Sequence, residues 1–109
     1  MSLLNEYFEY QSKFEKKYGR NTIVIMEVGS FFEIYGTNNG DNNEYGKIKE
    51  VSEMTSLSVA PKKGQTSYSH KDYVHMAGFP NYSIDKWKDI LLKNGYTVII
   101  IEQDSHGKK

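Results

Sequence analysis

The sequence predicts an α/β (α+β) domain in which helices flank a mixed β-sheet. Short runs of β-branched and aromatic residues alternate with amphipathic stretches, in the order helix, hairpin, helix, strand, strand, helix, strand. A Gly-Ser pair separates two of these runs between residues 22 and 35, which is typical of a β-hairpin. The 109 residues contain no cysteine and are enough for one hydrophobic core without disulfides. We therefore expect residues 1–109 to form a single domain.

The first part of the chain predicts a helix followed by the hairpin. Residues Leu3 to Lys17 have apolar side chains at helical spacing, and Gly19 is placed to end that helix. The hairpin runs from Thr22 to Tyr35, with Gly29-Ser30 as its two-residue loop. This loop favours a type II′ turn, because glycine adopts the positive φ that its first position requires.

The rest of the chain predicts two loops, two helices and three strands. Ser83 has the character of an N-cap, Pro61 is expected to end a short strand, and the last strand is apolar enough to predict a central place in the sheet. The predicted elements are a loop over Gly36–Gly46, a helix over Lys47–Thr55, a strand over Leu57–Ala60, a loop over Lys62–Asp72, a strand over Tyr73–Phe79, a helix over Ile84–Lys93 and a strand over Tyr96–Ile101.

Composition and charge exclude several functional classes. The formal net charge is zero, so the chain lacks the basic footprint of a protein that binds nucleic acid tightly by itself. No apolar run approaches 18 residues and no basic-then-apolar signal opens the chain, so we expect a soluble, intracellular protein that does not contact membranes. The three histidines share no metal-ligand spacing, and no phosphate-binding loop is present. We therefore expect this chain to hold no cofactor or metal and to be no enzyme.

The hairpin carries the residues whose pattern points to a function. Side chains alternate between the two faces of a strand, so Phe32 and Ile34 share a core face, while Phe31, Glu33 and Tyr35 share the other. A core does not require an aromatic ring just past a tight turn with a carboxylate two residues on. The pattern predicts a rigid tip that probes a partner with a ring and an acid.

The same stretch resembles a family motif. Residues Gly29 to Tyr35 are similar to the G-x-F-[FY]-E-[LI]-[FY] motif in the N-terminal mismatch-binding domain of the MutS family of DNA mismatch-recognition proteins. Met76 to Pro80 resembles that family's M-A-G-[IF]-P, and Glu102-Gln103 resembles the E-Q that ends its apolar strand. Each motif alone is weak, but the three occur in the family's order and at similar separations across almost the whole chain.

The resemblance implies roles for individual residues. Phe31 would insert from the minor groove and stack on a mispaired or unpaired base, and Glu33 would hydrogen-bond that base. Ser30, Met76 and the basic pair Lys62 and Lys63 would contact the DNA backbone or groove. From the residues alone, Met76 is also consistent with a core position, and the lysine pair with a solvated turn.

The resemblance also implies a larger context, and two other readings stay open. The partner would be double-stranded DNA with mismatches or small unpaired loops, and this chain would be the N-terminal domain of a longer protein. That parent would be a dimer with an ATPase domain, binding ATP and Mg²⁺, outside these residues. Alternatively, Glu27, Glu33 and Glu102 could form a metal-dependent nuclease-like site, or the hairpin tip could grip a protein partner.

Overall fold

A computed structural model describes residues 3–38, 44–61 and 73–103. The elements in chain order are α1 (Leu3–Tyr18), β1 (Thr22–Val28), β2 (Phe31–Asn38), β3 (Glu44–Gly46), α2 (Ile48–Thr55), β4 (Ala60–Pro61), β5 (Tyr73–Pro80), a 3₁₀ turn (Asn81–Ser83), α3 (Ile84–Lys93) and β6 (Thr97–Ile101). The predicted α+β fold, with a mixed sheet and flanking helices, is confirmed. No helix in the described part of the chain is long and apolar enough to cross a membrane.

The sheet places the hairpin in its interior. The strand order is β4-β5-β2-β1-β6, and β3 also pairs with β2. β1 runs antiparallel to β2 and parallel to β6, while β2 runs antiparallel to β5 along its whole length. Both hairpin strands therefore have a second neighbour, and the turn between them is supported from two sides.

Helix α1 packs against the first half of β1, the part that is not paired with β2. The two strands pair only through Met26–Val28 and Phe31–Glu33, so the start of β1 has no ladder on that side. The buried Gln11 side chain donates to the Thr22 carbonyl at 2.8 Å and accepts from the Val24 N–H at 2.9 Å. The Tyr7 hydroxyl donates to the Val24 carbonyl at 2.7 Å. Helix side chains thus replace the missing strand partner and pair its buried backbone groups.

The predicted core face of β2 is confirmed. Phe32 and Ile34 are buried, and the Phe32 ring lies 5.9 Å from the ring of its cross-strand neighbour Phe79. Trp87 of α3 continues this stack, with its ring centroid 5.7 Å from that of Phe79. This aromatic row fixes α3 against the sheet directly behind the hairpin tip.

Two predicted helix and turn details are confirmed and one is wrong. Gly29 has φ of 62° at the first loop position, and Gly19 has φ of 108° after α1. Gly95 likewise has a positive φ, of 84°, after α3. Ser83, however, makes no capping hydrogen bond within the described residues, because it belongs to the 3₁₀ turn and has φ of −95° and ψ of 8° instead of the extended backbone of an N-cap.

The last strand is not central, as the sequence predicts, but stands at one end of the strand order. β6 pairs with β1 alone in the described sheet, and its five residues are all half-buried. The strand is apolar because side chains on both of its faces pack against the core. Val98, Ile99, Ile100 and Ile101 all contact the core cluster.

Two predicted boundaries are also wrong. β2 continues to Asn38 and pairs with β3 inside the stretch predicted as a loop. This pairing is possible because β1 covers that edge of β2 only as far as Glu33, which leaves the rest of the edge open to β3. β4 begins at Ala60 and includes Pro61, which the sequence predicted as its end. This strand lies at the sheet edge, where a missing N–H is tolerated. The loop predicted over Lys62–Asp72 lies outside the described residues.

Candidate nucleic-acid interface

Phe31 is the exposed side chain at the hairpin tip. It opens β2 directly after the turn, and 46% of its surface is accessible to solvent. Its cross-strand neighbours are Val28 on one side and Pro80 on the other. The ring is thus carried by a backbone that is paired on both sides.

The turn that carries Phe31 is tied to the end of β6. The Gln103 side chain accepts from the Gly29 N–H at 3.2 Å and donates to the Gly29 carbonyl at 2.7 Å. A primary amide that both donates to and accepts from one residue fixes the position of that residue. Gln103 therefore acts as a clamp on the turn.

A second link joins the turn to the start of the 3₁₀ turn. The Asn81 N–H donates to the Ser30 carbonyl at 2.8 Å, and the Asn81 side chain donates to Glu27 Oε2 at 3.2 Å. Glu27 Oε1 accepts from the Gln103 N–H at 3.3 Å. One carboxylate thus connects both segments that hold the tip.

Glu33 lies on the same face of β2 as Phe31, as predicted, and is half-buried. Its cross-strand neighbours are Met26 and Gly78. A Cβ added at Gly78 would lie 3.3 Å from Glu33 Cγ and 2.9 Å from the Phe32 carbonyl oxygen. The Glu33 side chain therefore crosses the space that the glycine leaves open.

Tyr35 is the next residue on this face, and it is fully buried. Its hydroxyl donates to Glu33 Oε1. Its ring meets the ring of Tyr7 edge-on, with centroids 5.1 Å apart. Burial raises the pKa of Tyr35, and the hydrogen bond to Glu33 and the negative charge of Glu33 raise that pKa further. The face therefore changes from exposed ring to half-buried acid to buried phenol within five residues.

The other predicted contact residues are less directly placed at the tip. Ser30 is exposed in the turn, and its carbonyl is held by Asn81. Met76 is half-buried beside Tyr35 and packs against the core cluster, which agrees with the core alternative. Lys62 and Lys63 lie outside the described residues.

The three glutamates considered for a nuclease site are not brought together as a metal site. Glu27 pairs across the ladder with Phe32, so it lies on the opposite face of the sheet from Glu33. No group of three His, Cys, Asp or Glu residues within 3–38, 44–61 and 73–103 could hold a metal ion.

Comparison with known proteins agrees with this arrangement. The family model described as MutS domain I matches residues 5–109. The chain belongs to the MutS family. As a MutS domain I, it is 27% identical over 103 residues to a putative DNA mismatch repair protein mutS homolog of Acanthamoeba polyphaga mimivirus, covering 94% of this chain and 9% of that protein. It is 23% identical over 101 residues to the DNA mismatch repair protein MutS of Staphylococcus aureus (strain JH9), covering 93% of this chain and 10% of that protein.

The domain spans about a tenth of the length of these curated relatives. Its MutS motifs hold residues whose contacts the sequence did not reveal. Gly78, within the motif from Met76 to Pro80, provides space for Glu33. Gln103 was noted only as part of a motif, whereas its side chain clamps the turn. The register of β2 against β5 is the missing information, because it determines which residue lies opposite Glu33.

Proposed function

We propose that this MutS domain I recognises mismatched DNA by inserting Phe31 into the duplex from the minor groove. The ring would stack on a mispaired or unpaired base, and Glu33 would hydrogen-bond the same base. The observation that carries this proposal is the exposed Phe31 ring next to Glu33 on one face of a clamped hairpin tip.

Discrimination would come chiefly from the cost of deforming the DNA. Inserting an aromatic wedge unstacks a base step at a cost of a few kcal/mol, which is lowest where the bases are already poorly paired. Stacking on Phe31 would return about 1–3 kcal/mol in any sequence context. The domain would therefore detect weak pairing without reading a base code.

The zero net charge fits a domain that contributes specificity while other parts of a protein contribute affinity. We propose that residues 1–109 are the N-terminal domain of a longer MutS protein that works as a dimer. Its ATPase domain, with ATP and Mg²⁺, would lie elsewhere, and this domain would do no catalysis. Ser30, Met76, Lys62 and Lys63 would add contacts to the DNA groove or backbone.

The test is binding of Phe31→Ala to matched, mismatched and single-unpaired-base duplexes in the longest polypeptide that carries this chain. We expect the preference for imperfect duplexes to fall by about 5- to 100-fold, because one stacking contact is lost. Tyr18→Ala is the matched control: its ring is 50% exposed, and it lies at the end of α1, next to the start of β1 and away from the turn.

Two outcomes would contradict the proposal. An equal loss of preference in Phe31→Ala and Tyr18→Ala would mean that the hairpin ring has no special role. Cleavage of plasmid DNA on addition of Mg²⁺ or Mn²⁺, lost in Glu33→Ala, would favour the nuclease alternative. A 2-aminopurine base placed at the mismatch provides a direct readout, since its fluorescence responds to a ring stacking on it.

A further inference from the structure

The two oxygens of the Glu33 carboxyl group are in different environments. Oε1 accepts a hydrogen bond from the Tyr35 hydroxyl. The Tyr35 ring is fully buried and is fixed by edge-on contact with Tyr7, so this donor cannot follow a moving acceptor. Oε1 is therefore directed toward the protein interior.

The backbone of Glu33 is fixed. It is paired on both sides, with Met26 in β1 and Gly78 in β5. Gly78 carries no side chain, and the Glu33 Cγ lies 3.3 Å from the position that a Cβ there would occupy. With the backbone held in this way, the hydrogen bond from the Tyr35 hydroxyl is the contact that orients the carboxyl group.

We propose that Tyr35 is a positioning residue for mismatch recognition, because its hydroxyl holds Glu33 Oε1 so that Oε2 is the oxygen presented to the base beside Phe31. This inference rests on the proposed function. It assigns a role to a buried residue that does not itself touch DNA.

The chemistry of the carboxyl group gives this arrangement its effect. An ionised carboxylate only accepts hydrogen bonds, whereas the acid form carries one O–H donor. With Oε1 already accepting from Tyr35, Oε2 is the oxygen placed to accept a hydrogen bond from an N–H of the base. Among the described residues, Tyr35 bonds to the carboxyl group and Tyr7 lies behind Tyr35. Glu6 and Tyr10 of α1 line a cavity together with Met26, the cross-strand neighbour of Glu33, whereas Glu27 lies on the opposite face from Glu33. Without the Tyr35 hydroxyl, the carboxyl group would lose the hydrogen bond that orients its plane toward the base.

The test is a double-mutant cycle with Tyr35→Phe and Glu33→Ala, in the longest polypeptide that carries this chain. The measured quantity is the ratio of affinities for mismatched and matched duplexes. We expect Tyr35→Phe to lower this ratio about fivefold with Glu33 present, the usual effect of one hydrogen bond, and to leave it unchanged with Ala at position 33. The substitution removes only the hydroxyl group and keeps the buried ring.

Tyr7→Phe is the control for a structural effect. Tyr7 is also fully buried, and its hydroxyl donates to the Val24 carbonyl and is hydrogen-bonded to the backbone of Tyr35, so neither bond involves the Glu33 carboxyl group. We expect it to lower stability without changing the ratio. In the DNA-free protein, the carboxyl ¹³C resonance of Glu33 should shift in Tyr35→Phe and not in Tyr7→Phe.

The possible failures separate clearly. A ratio lowered by Phe31→Ala but unchanged by Tyr35→Phe would overturn this inference and leave the proposed function standing. An equal effect of Tyr35→Phe with glutamate or alanine at position 33 would also overturn it. A ratio that Phe31→Ala leaves unchanged would overturn the proposed function itself.

Discussion

Gly78 lies directly opposite Glu33 in the ladder between β2 and β5, and its missing side chain leaves the space that the Glu33 methylene groups cross. Any larger residue must displace either the carboxylate or the strand. The glycine of the M-A-G-F-P motif is thus linked physically to the glutamate of the hairpin motif, 45 positions earlier in the chain.

Gly78→Ala should therefore damage both stability and recognition. Its Cβ would approach the Phe32 carbonyl oxygen to 2.9 Å, and backbone must move to relieve that contact. We expect a loss of about 1–3 kcal/mol in the free energy of unfolding, measured in urea, together with a smaller mismatch preference. Adding Glu33→Ala relieves the side-chain contact but not the backbone contact, so it should recover only part of the stability. Full stability of the single variant would contradict this reading of Gly78.

Glu33→Gln should reduce discrimination by strengthening binding to intact DNA. In the proposed complex the carboxylate would face a polyanion, and removing one charge at close range is worth about 1 kcal/mol in a water-like medium, or about fivefold in affinity. We expect matched duplex to gain more than mismatched duplex in an anisotropy titration. Glu53→Gln makes the same charge change at an exposed position on α2 and should leave the ratio unaltered. An unchanged ratio in Glu33→Gln would refute the idea that Glu33 repels intact duplex.

Gln103→Leu should loosen the turn while changing global stability little. Both hydrogen bonds to Gly29 are lost, but they are exposed, so we expect a cost below about 1.5 kcal/mol. Amide hydrogen exchange at Gly29 should accelerate, and mismatch preference should fall. Gln103→Glu retains an acceptor for the Gly29 N–H but has no donor for its carbonyl, so it should behave as an intermediate. Unaltered exchange at Gly29 would show that the clamp is not needed.

Gln11→Leu should be among the more destabilising single substitutions in α1. It leaves the Thr22 carbonyl and the Val24 N–H without their buried partner. Each unsatisfied group costs about 1–3 kcal/mol, so we expect a total loss of about 2–6 kcal/mol in the free energy of unfolding, measured in urea. Ser12→Ala, on the exposed side of the same helix, is the control. A loss in Gln11→Leu no larger than in Ser12→Ala would contradict the strand-partner role of Gln11.

Alkaline pH should destabilise the fold through two buried tyrosines. Burial raises the pKa of both Tyr7 and Tyr35 above the ordinary value near 10. The unfolded chain then loses these protons first, so stability is complete below about pH 10 and falls as the pH rises further. Each tyrosine contributes up to about 1.4 kcal/mol per pH unit. Urea unfolding between pH 8.5 and 11 should give a shallower slope for Tyr35→Phe than for the parent or for Tyr18→Phe. Equal slopes would contradict the expectation.

The sequence predicts the fold and the identity of the hairpin residues well, for a local reason. Gly29 adopts the positive φ that a two-residue loop requires, and the alternation after it places Phe31 and Glu33 on one face. Both features depend on residues within a few positions of each other. The same is true of the apolar spacing of α1 and α3.

The contacts that support the site depend on long-range register, which the sequence does not encode locally. Nothing near Gln103 indicates that its amide reaches Gly29, 74 positions away. The position of β6 at the end of the sheet was also missed, because an apolar run shows burial but not the number of strand neighbours. Likewise, Gln11 bonds to backbone groups of β1 because the start of β1 is not paired with β2, and only the strand pairing shows this.

The interior position of the hairpin also has an entropic consequence. β1 and β2 each have another strand beyond them, and the ladder from Phe31 to Pro80 reaches the first residue after the turn. The backbone that presents the ring has already lost its conformational freedom when the domain folds. Inserting the ring between two base pairs would therefore cost no further backbone entropy in the protein, and only the DNA would have to change conformation. Any force on the ring would be carried by the four paired strands β5, β2, β1 and β6.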